Sequence, residues 1–369
     1  MAGLFPRSQP RCNHRIAVGS GHELAVAEYG TAAGAPVLYL HGGPGGGTPK
    51  DLARLFDPAT FRLVAFDQRG CGRSSCDDRL RDNTTSHLLA DAEAVRVALG
   101  IDSWAVVGSS YGSLMTALYA ARHPTSVRWA VLHGVFLGSE EEVGWLYREG
   151  GAARFYPQQW GEFEKAAKAA AAAGTAADAD AAEEPPPVVR ATSSRMPLLG
   201  HFHDVLTRPS VPRQHPLPEA ASVPAAALAA AAALTTWEDE METLAPEEAK
   251  HEDAGELLAG AQIAAHYFAH GCFLPEAGAL PELRAKSDAL ASVPCAIVHG
   301  RHDVVCPPRA ASALHAAWPG ATLRIVEGGA HALFEKPMRT AAQAALAELV
   351  AGPGGAAAHE HKDKRSRRN

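Results

Sequence analysis

The sequence is poor in cysteine and holds nothing that would pair it. Six cysteines stand at positions 12, 71, 76, 272, 295 and 306, with no Cys-x-x-Cys among them. That spacing argues against a zinc knuckle or a thioredoxin-type centre and for free thiols in a reducing compartment. No apolar run is long enough to span a bilayer, and the alanine tract at 225–234 is both short and weakly apolar. Positive charge is not in excess either. A net charge of −7 gives no electrostatic reason to expect nucleic acid or an anionic membrane as partner. The first residues lack the apolar core of a secretory signal, although Arg7, Arg11 and Arg15, with no acid before Glu23, faintly resemble a transit peptide. The expectation is a cytoplasmic protein, with organelle import as the rival.

What is present suffices for one large α/β domain with an insertion, or for two domains: 369 residues, 47% hydrophobic. The stretch from Trp104 to Pro124 organises the rest. A short apolar run enters Gly108-Ser-Ser-Tyr-Gly112 and continues as an Ala/Leu/Met helix that stops before Pro124. Strand, Gly-x-Ser-x-Gly, helix is the context of a nucleophile elbow, in which Ser110 alone is centred. An elbow needs a base, an orienting acid and an oxyanion hole. Pro36–Leu40 reads as a buried strand feeding His41-Gly-Gly-Pro-Gly-Gly-Gly47. No Gly-Lys-Ser/Thr follows, so a phosphate loop is disfavoured. The reading adopted is half of an oxyanion hole, the N–H of Gly43 joining that of Tyr111. Each such donor is typically worth about 3 kcal/mol of barrier.

Further strands are expected at 61–66, 127–132, 293–300 and 322–326, with a helix at 87–99. This alternation predicts a mostly parallel, doubly wound sheet. Asp303 and His331 follow the last two strands, on loops where catalytic groups of open α/β sheets gather. The chain order Ser110, Asp303, His331 is that of an α/β-hydrolase. Asp67 and Arg69, after the strand at 61–66, are expected to pair with each other and brace a loop rather than to catalyse. The alternation breaks after Phe136. Residues 137–275 read as an inserted helical cap between core segments 1–136 and 276–350. Within it, 165–190 reads as a solvated low-complexity insertion, and 351–369 as a disordered basic tail. His201-Phe-His203 suggests metal only weakly, because no third ligand stands nearby in sequence; a surface loop is the preferred reading. No metal and no cofactor are expected.

His41–Gly47, Asp67-Gln-Arg-Gly-Cys-Gly-Arg-Ser74, Asn83-Thr-Thr85, Gly300-Arg-His-Asp-Val-Val-Cys-Pro307, His331-Ala-Leu-Phe-Glu335, Trp237-Glu238 and His266-Tyr-Phe268 together resemble the proline iminopeptidase family of α/β-hydrolases. The resemblance implies removal of an N-terminal proline from a peptide by a serine mechanism without metal. Ser110 would be the nucleophile, His331 the base and then the acid, and Asp303 its orienter. It also implies paired cap glutamates that hold the substrate's charged amino end. Glu238 matches one. Ala264 stands where the other is expected, and His133 replaces an arginine near the site. Phe136 and Trp145 are the candidates for a pocket that takes the proline ring, with packing inside the cap as the competing role. Two rival functions follow. Ala264 favours an esterase or amidase acting on neutral acyl substrates. A catalytically silent binding protein is disfavoured by the complete triad. The oligomeric state is not legible.

Overall fold

The computed structural model describes residues 3–172, 186–216, 223–244 and 253–352. Nine strands form one sheet: β1 (Cys12–Ala17), β2 (His22–Gly30), β3 (Ala35–Leu40), β4 (Phe61–Phe66), β5 (Ser75–Cys76), β6 (Trp104–Ser109), β7 (Val127–His133), β8 (Cys295–Gly300) and β9 (Thr322–Val326). The order across it is β1-β2-β4-β3-β6-β7-β8-β9, with β5 paired to β2. β1, β2 and β5 pair antiparallel at one end, and every pairing from β4 through to β9 is parallel. β3, β6 and β8 are almost entirely buried because helices cover both faces of the sheet. The loops that carry Ser110, Asp303 and His331 therefore emerge together at the C-terminal edge.

β1 and its flank give two of the N-terminal arginines structural partners. Its neighbour Arg11 donates to the buried Glu28 carboxylate at 2.8 Å, and Arg15 donates to the Arg73 carbonyl at 2.7 Å. These charges belong to the sheet edge, where an alternating strand was overlooked for want of a long apolar run.

Around the sheet lie α1 (Thr85–Ala98) and α2 (Tyr111–Arg122). Between β7 and β8 come α3 (Glu140–Tyr147), α4 (Pro157–Ala172), α5 (Pro187–Arg195), α6 (Pro197–Leu206), α7 (Ala225–Asp239) and α8 (Ala254–Ala269). Helix α9 (Arg309–Ala317) precedes β9, and α10 (Lys336–Ala351) follows it. The low-complexity reading of 165–190 fails at both ends. Ala167 and Ala170 are buried faces of α4, and α5 begins at Pro187. Only 173–185 of that stretch, and 353–369 of the tail, lie outside the described residues. His201 and His203 sit on α6, not in a loop. Among the described residues no helix is long and apolar enough to cross a membrane.

The cap helices share one apolar cluster with the sheet's inner face. Cap and core are also bonded directly: Tyr267 donates to Asn83 Oδ1 at 2.7 Å, and the Trp145 indole donates to the Val304 carbonyl at 2.6 Å.

Candidate active site

Ser110 joins β6 to α2 with φ 55° and ψ −123°, a conformation that L-residues adopt only under constraint. The constraint is close packing. A Cβ on Gly108 would come 2.0 Å from the Gly112 carbonyl, and one on Gly112 would come 2.0 Å from the Leu40 carbonyl. Ser113 donates to the Ser110 carbonyl at 2.6 Å and accepts the Phe136 N–H at 3.0 Å, tying the elbow to the loop after β7. Tyr111 opens α2, so its N–H has no partner within the helix. Gly42 crosses closely beneath the serine, since a Cβ there would meet the Ser110 Cβ at 2.9 Å. His41 fixes this glycine loop. Its Nδ1 donates to the Gly42 carbonyl at 2.9 Å, and its Nε2 accepts the Gln68 N–H at 3.0 Å. Gly43 follows at φ 109° and lines the same cavity as Ser110.

His331 Nδ1 lies 2.8 Å from Asp303 Oδ2, and Asp303 Oδ1 accepts the Cys306 N–H at 2.8 Å. Burial works against the charge on Asp303, but His331 and its hydrogen bond hold the carboxyl below its ordinary value. Burial also opposes protonation of His331, yet the Asp303 carboxylate outweighs it and raises the imidazole. His299 sets the frame behind them. Its Nδ1 accepts the Val135 N–H at 3.0 Å, which leaves Nε2–H to donate to the Cys306 carbonyl at 2.7 Å. One neutral imidazole thus links the loops after β7 and β8. His133, at the end of β7, is held neutral. Burial and the neighbouring His331 lower it to about 3, and its Nδ1 engages Ser109 Oγ at 2.8 Å.

Ser110 and His331 line a cavity of about 540 Å³ that also takes in Phe136, Phe268, Glu238 and Glu242. Phe136 and Phe268 meet edge to face, 6.2 Å between ring centres, as an apolar wall. Burial pushes Glu238 up to about 7, and Tyr147 donates a hydrogen bond to it. Burial raises Glu242 as well. Glu242 itself is exposed at the cavity's rim, so its carboxylate stays in reach of water.

Two expectations change here. Trp145 does not line the cavity: its indole N–H is spent on Val304 and its ring rests on Phe155, while Leu146 supplies the lining. Asp67 and Arg69 do brace loops, but with other partners. Asp67 accepts from Arg73 and from the Thr48 N–H, and Arg69 clamps Asp91 through two bonds of 2.7 Å.

Sequence reasoning missed Glu242. Past the end of α7 the chain tightens, Met241 N–H bonding to the Glu238 carbonyl and Glu242 N–H to the Asp239 carbonyl. This turn carries the second carboxylate to the cavity. The Glu238/Glu242 spacing of four was the available signal. The Glu242 carbonyl in turn accepts the N–H groups of His331 (3.0 Å) and Ala332 (2.9 Å). Ala264, one turn from Phe268, is packed into the apolar cluster and is not among the lining residues.

The family model for the alpha/beta hydrolase fold matches residues 35–337. A proline iminopeptidase of Xylella fastidiosa is 37% identical over 338 residues, covering 91% of this chain and 95% of that protein. One from Arabidopsis thaliana is 36% identical, covering 90% and 78%. The crystal structure of the Mycobacterium smegmatis proline iminopeptidase superposes with a TM-score of 0.54 at 19% identity, covering 92% and 98%.

Proposed function

The chain belongs to the proline iminopeptidase family of α/β-hydrolases, and on that premise we propose that it releases N-terminal proline from peptides through an acyl-enzyme. Ser110 attacks the prolyl carbonyl while His331 Nε2 takes its proton. The oxyanion rests against the N–H groups of Gly43 and Tyr111. His331 then protonates the leaving amine and afterwards activates the water that frees proline. Asp303 keeps the imidazole oriented and offsets its positive charge.

One observation carries the substrate assignment. Glu238 and Glu242 share a cavity with Ser110 and His331. A half-buried Glu238 carboxylate beside the more accessible Glu242 suits a cationic amino terminus, because a cation repays the desolvation of Glu238 and is attracted by both charges. The pyrrolidine ring fits against Phe136 and Phe268. Glu242 takes the part that the family gives to a glutamate at the position of Ala264. Six cysteines without a disulfide fit a reducing cytoplasm.

The test compares Pro-, Ala- and Leu-amidomethylcoumarin with p-nitrophenyl acetate, using wild type, Ser110→Ala and Glu242→Gln. Prolyl amide should be preferred, and all hydrolysis should vanish in Ser110→Ala. Glu242→Gln should raise KM for the prolyl amide about tenfold or more and leave the acetate ester untouched. Ester cleavage without prolyl amide cleavage would replace this reading with the esterase one.

A further inference from the structure

The cap contains a cluster that the hydrolytic site does not use. His266 lies in the last turn of α8 and His270 caps its C-terminus four residues on, which brings the two side chains together. His203 faces them from α6, which packs alongside. One ring nitrogen of each lies within 4.8 Å of one of each of the others. None of the three lines the catalytic cavity. We propose that His203, His266 and His270 form a site for one divalent transition-metal cation of the zinc, nickel or copper kind.

The chemistry beyond the three nitrogens supports this. A carbonyl only accepts, so a ring nitrogen bonded to one is the N–H and leaves the other with its lone pair. His270 Nδ1 donates to the His266 carbonyl at 2.7 Å, and His266 Nε2 approaches the Asn83 carbonyl at 3.3 Å. His203 Nδ1 has the Asp204 carboxylate at 3.4 Å. Metal-ligating histidines are oriented in this way, the non-ligating N–H held by a carbonyl or carboxylate. Phe273 stacks on His270 with 4.9 Å between ring centres and fixes that ring further. The rings of His266 and His270 stand 4.5 Å apart between centres. Arg213 also bears on His266, but it is engaged by the Thr207 carbonyl and lies 3.9 Å from Asp78. Nitrogens bound at about 2.0–2.1 Å around a tetrahedral ion sit roughly 3.4 Å apart, a short closure from the present spacing. Three imidazoles without thiolate select borderline cations and not calcium or magnesium.

Such an ion would staple α6 to α8, two helices already joined by Gln262 Nε2 donating to the Leu206 carbonyl at 2.7 Å. Its role is structural. In sequence His266 and His270 stand more than sixty residues from His201-Phe-His203, which is why that motif alone carried no site.

The experiment uses the full chain, stripped with EDTA and titrated with Zn²⁺ by calorimetry and with Co²⁺ by visible absorption. One equivalent should bind, Co²⁺ should show tetrahedral ligand-field bands, and Zn²⁺ should raise the melting midpoint. His203→Gln and His270→Gln should each weaken binding at least about tenfold and abolish the midpoint shift. Their metal-free prolyl amide hydrolysis should stay at the wild-type level, which also shows that they fold. If one variant fails to fold, the other decides the question. His359→Ala/His361→Ala should bind as wild type does. Unchanged binding in both ligand variants, or binding lost only on replacing His359 and His361, would overturn the site.

Discussion

Glu238, proposed to hold the substrate's amino end, sets itself against stability. Its folded-state value near 7 lies above the ordinary 4.5, so its contribution is fully present below pH 4.5 and is lost as pH rises through 7. The shift amounts to about 3 kcal/mol at pH 8. Glu238→Gln should therefore be more stable than wild type in urea at pH 8, with the gap closing by pH 4. An equal gap at both pH values would contradict this. The same variant should lose kcat/KM on prolyl amides. In wild type, kcat/KM should climb through about pH 7, because Glu238 must be charged and His331, itself raised, must be neutral. In Glu238→Gln only the His331 limb should remain. A profile flat from pH 5 to 8 would rule out both assignments. The places of Ser110, Asp303 and His331 were legible because each follows a strand, on the same edge of the sheet. Glu242 was not, because its position depends on a turn that propensities do not reveal. Trp145 misled because aromatic spacing tells that a residue is buried but not which neighbour buries it.

Among the elements, α3 shows how a cap joins a core. Glu142 closes a capping box with Ser139, and its other oxygen accepts the Leu137 N–H at 2.9 Å. The carboxylate thus satisfies the segment immediately after Phe136. Glu142→Ala should cost about 2 kcal/mol or more and lower kcat/KM by loosening that wall. A urea midpoint that moves by less than about half a kcal/mol would show that water replaces the carboxylate. The parallel strands were readable as short apolar runs after glycine or proline signals. β1 was not, because an edge strand needs only alternate burial and arginines fill its open side. The partners of Asp67 and Arg69 were equally hidden, since Asp91 reaches Arg69 from α1 and Arg73 reaches Asp67 from the same loop.

For the whole molecule, the cysteine count becomes a statement about access. All six thiols are free, and five are buried. Ellman's reagent should titrate about one thiol promptly in the native protein, Cys12, and six after denaturation without reductant. Fewer than six would reveal a disulfide. The architecture was legible from strand–helix alternation, and the cap from where that alternation stopped. How the two meet was not, since the meeting relies on backbone atoms that no side-chain pattern encodes. The Glu242 carbonyl illustrates this. It holds the N–H groups of His331 and Ala332, so the loop that carries His331 is tied to the cap. Displacing Glu242 would withdraw two hydrogen bonds from the loop that carries His331, so the cap and that loop are bound to move together.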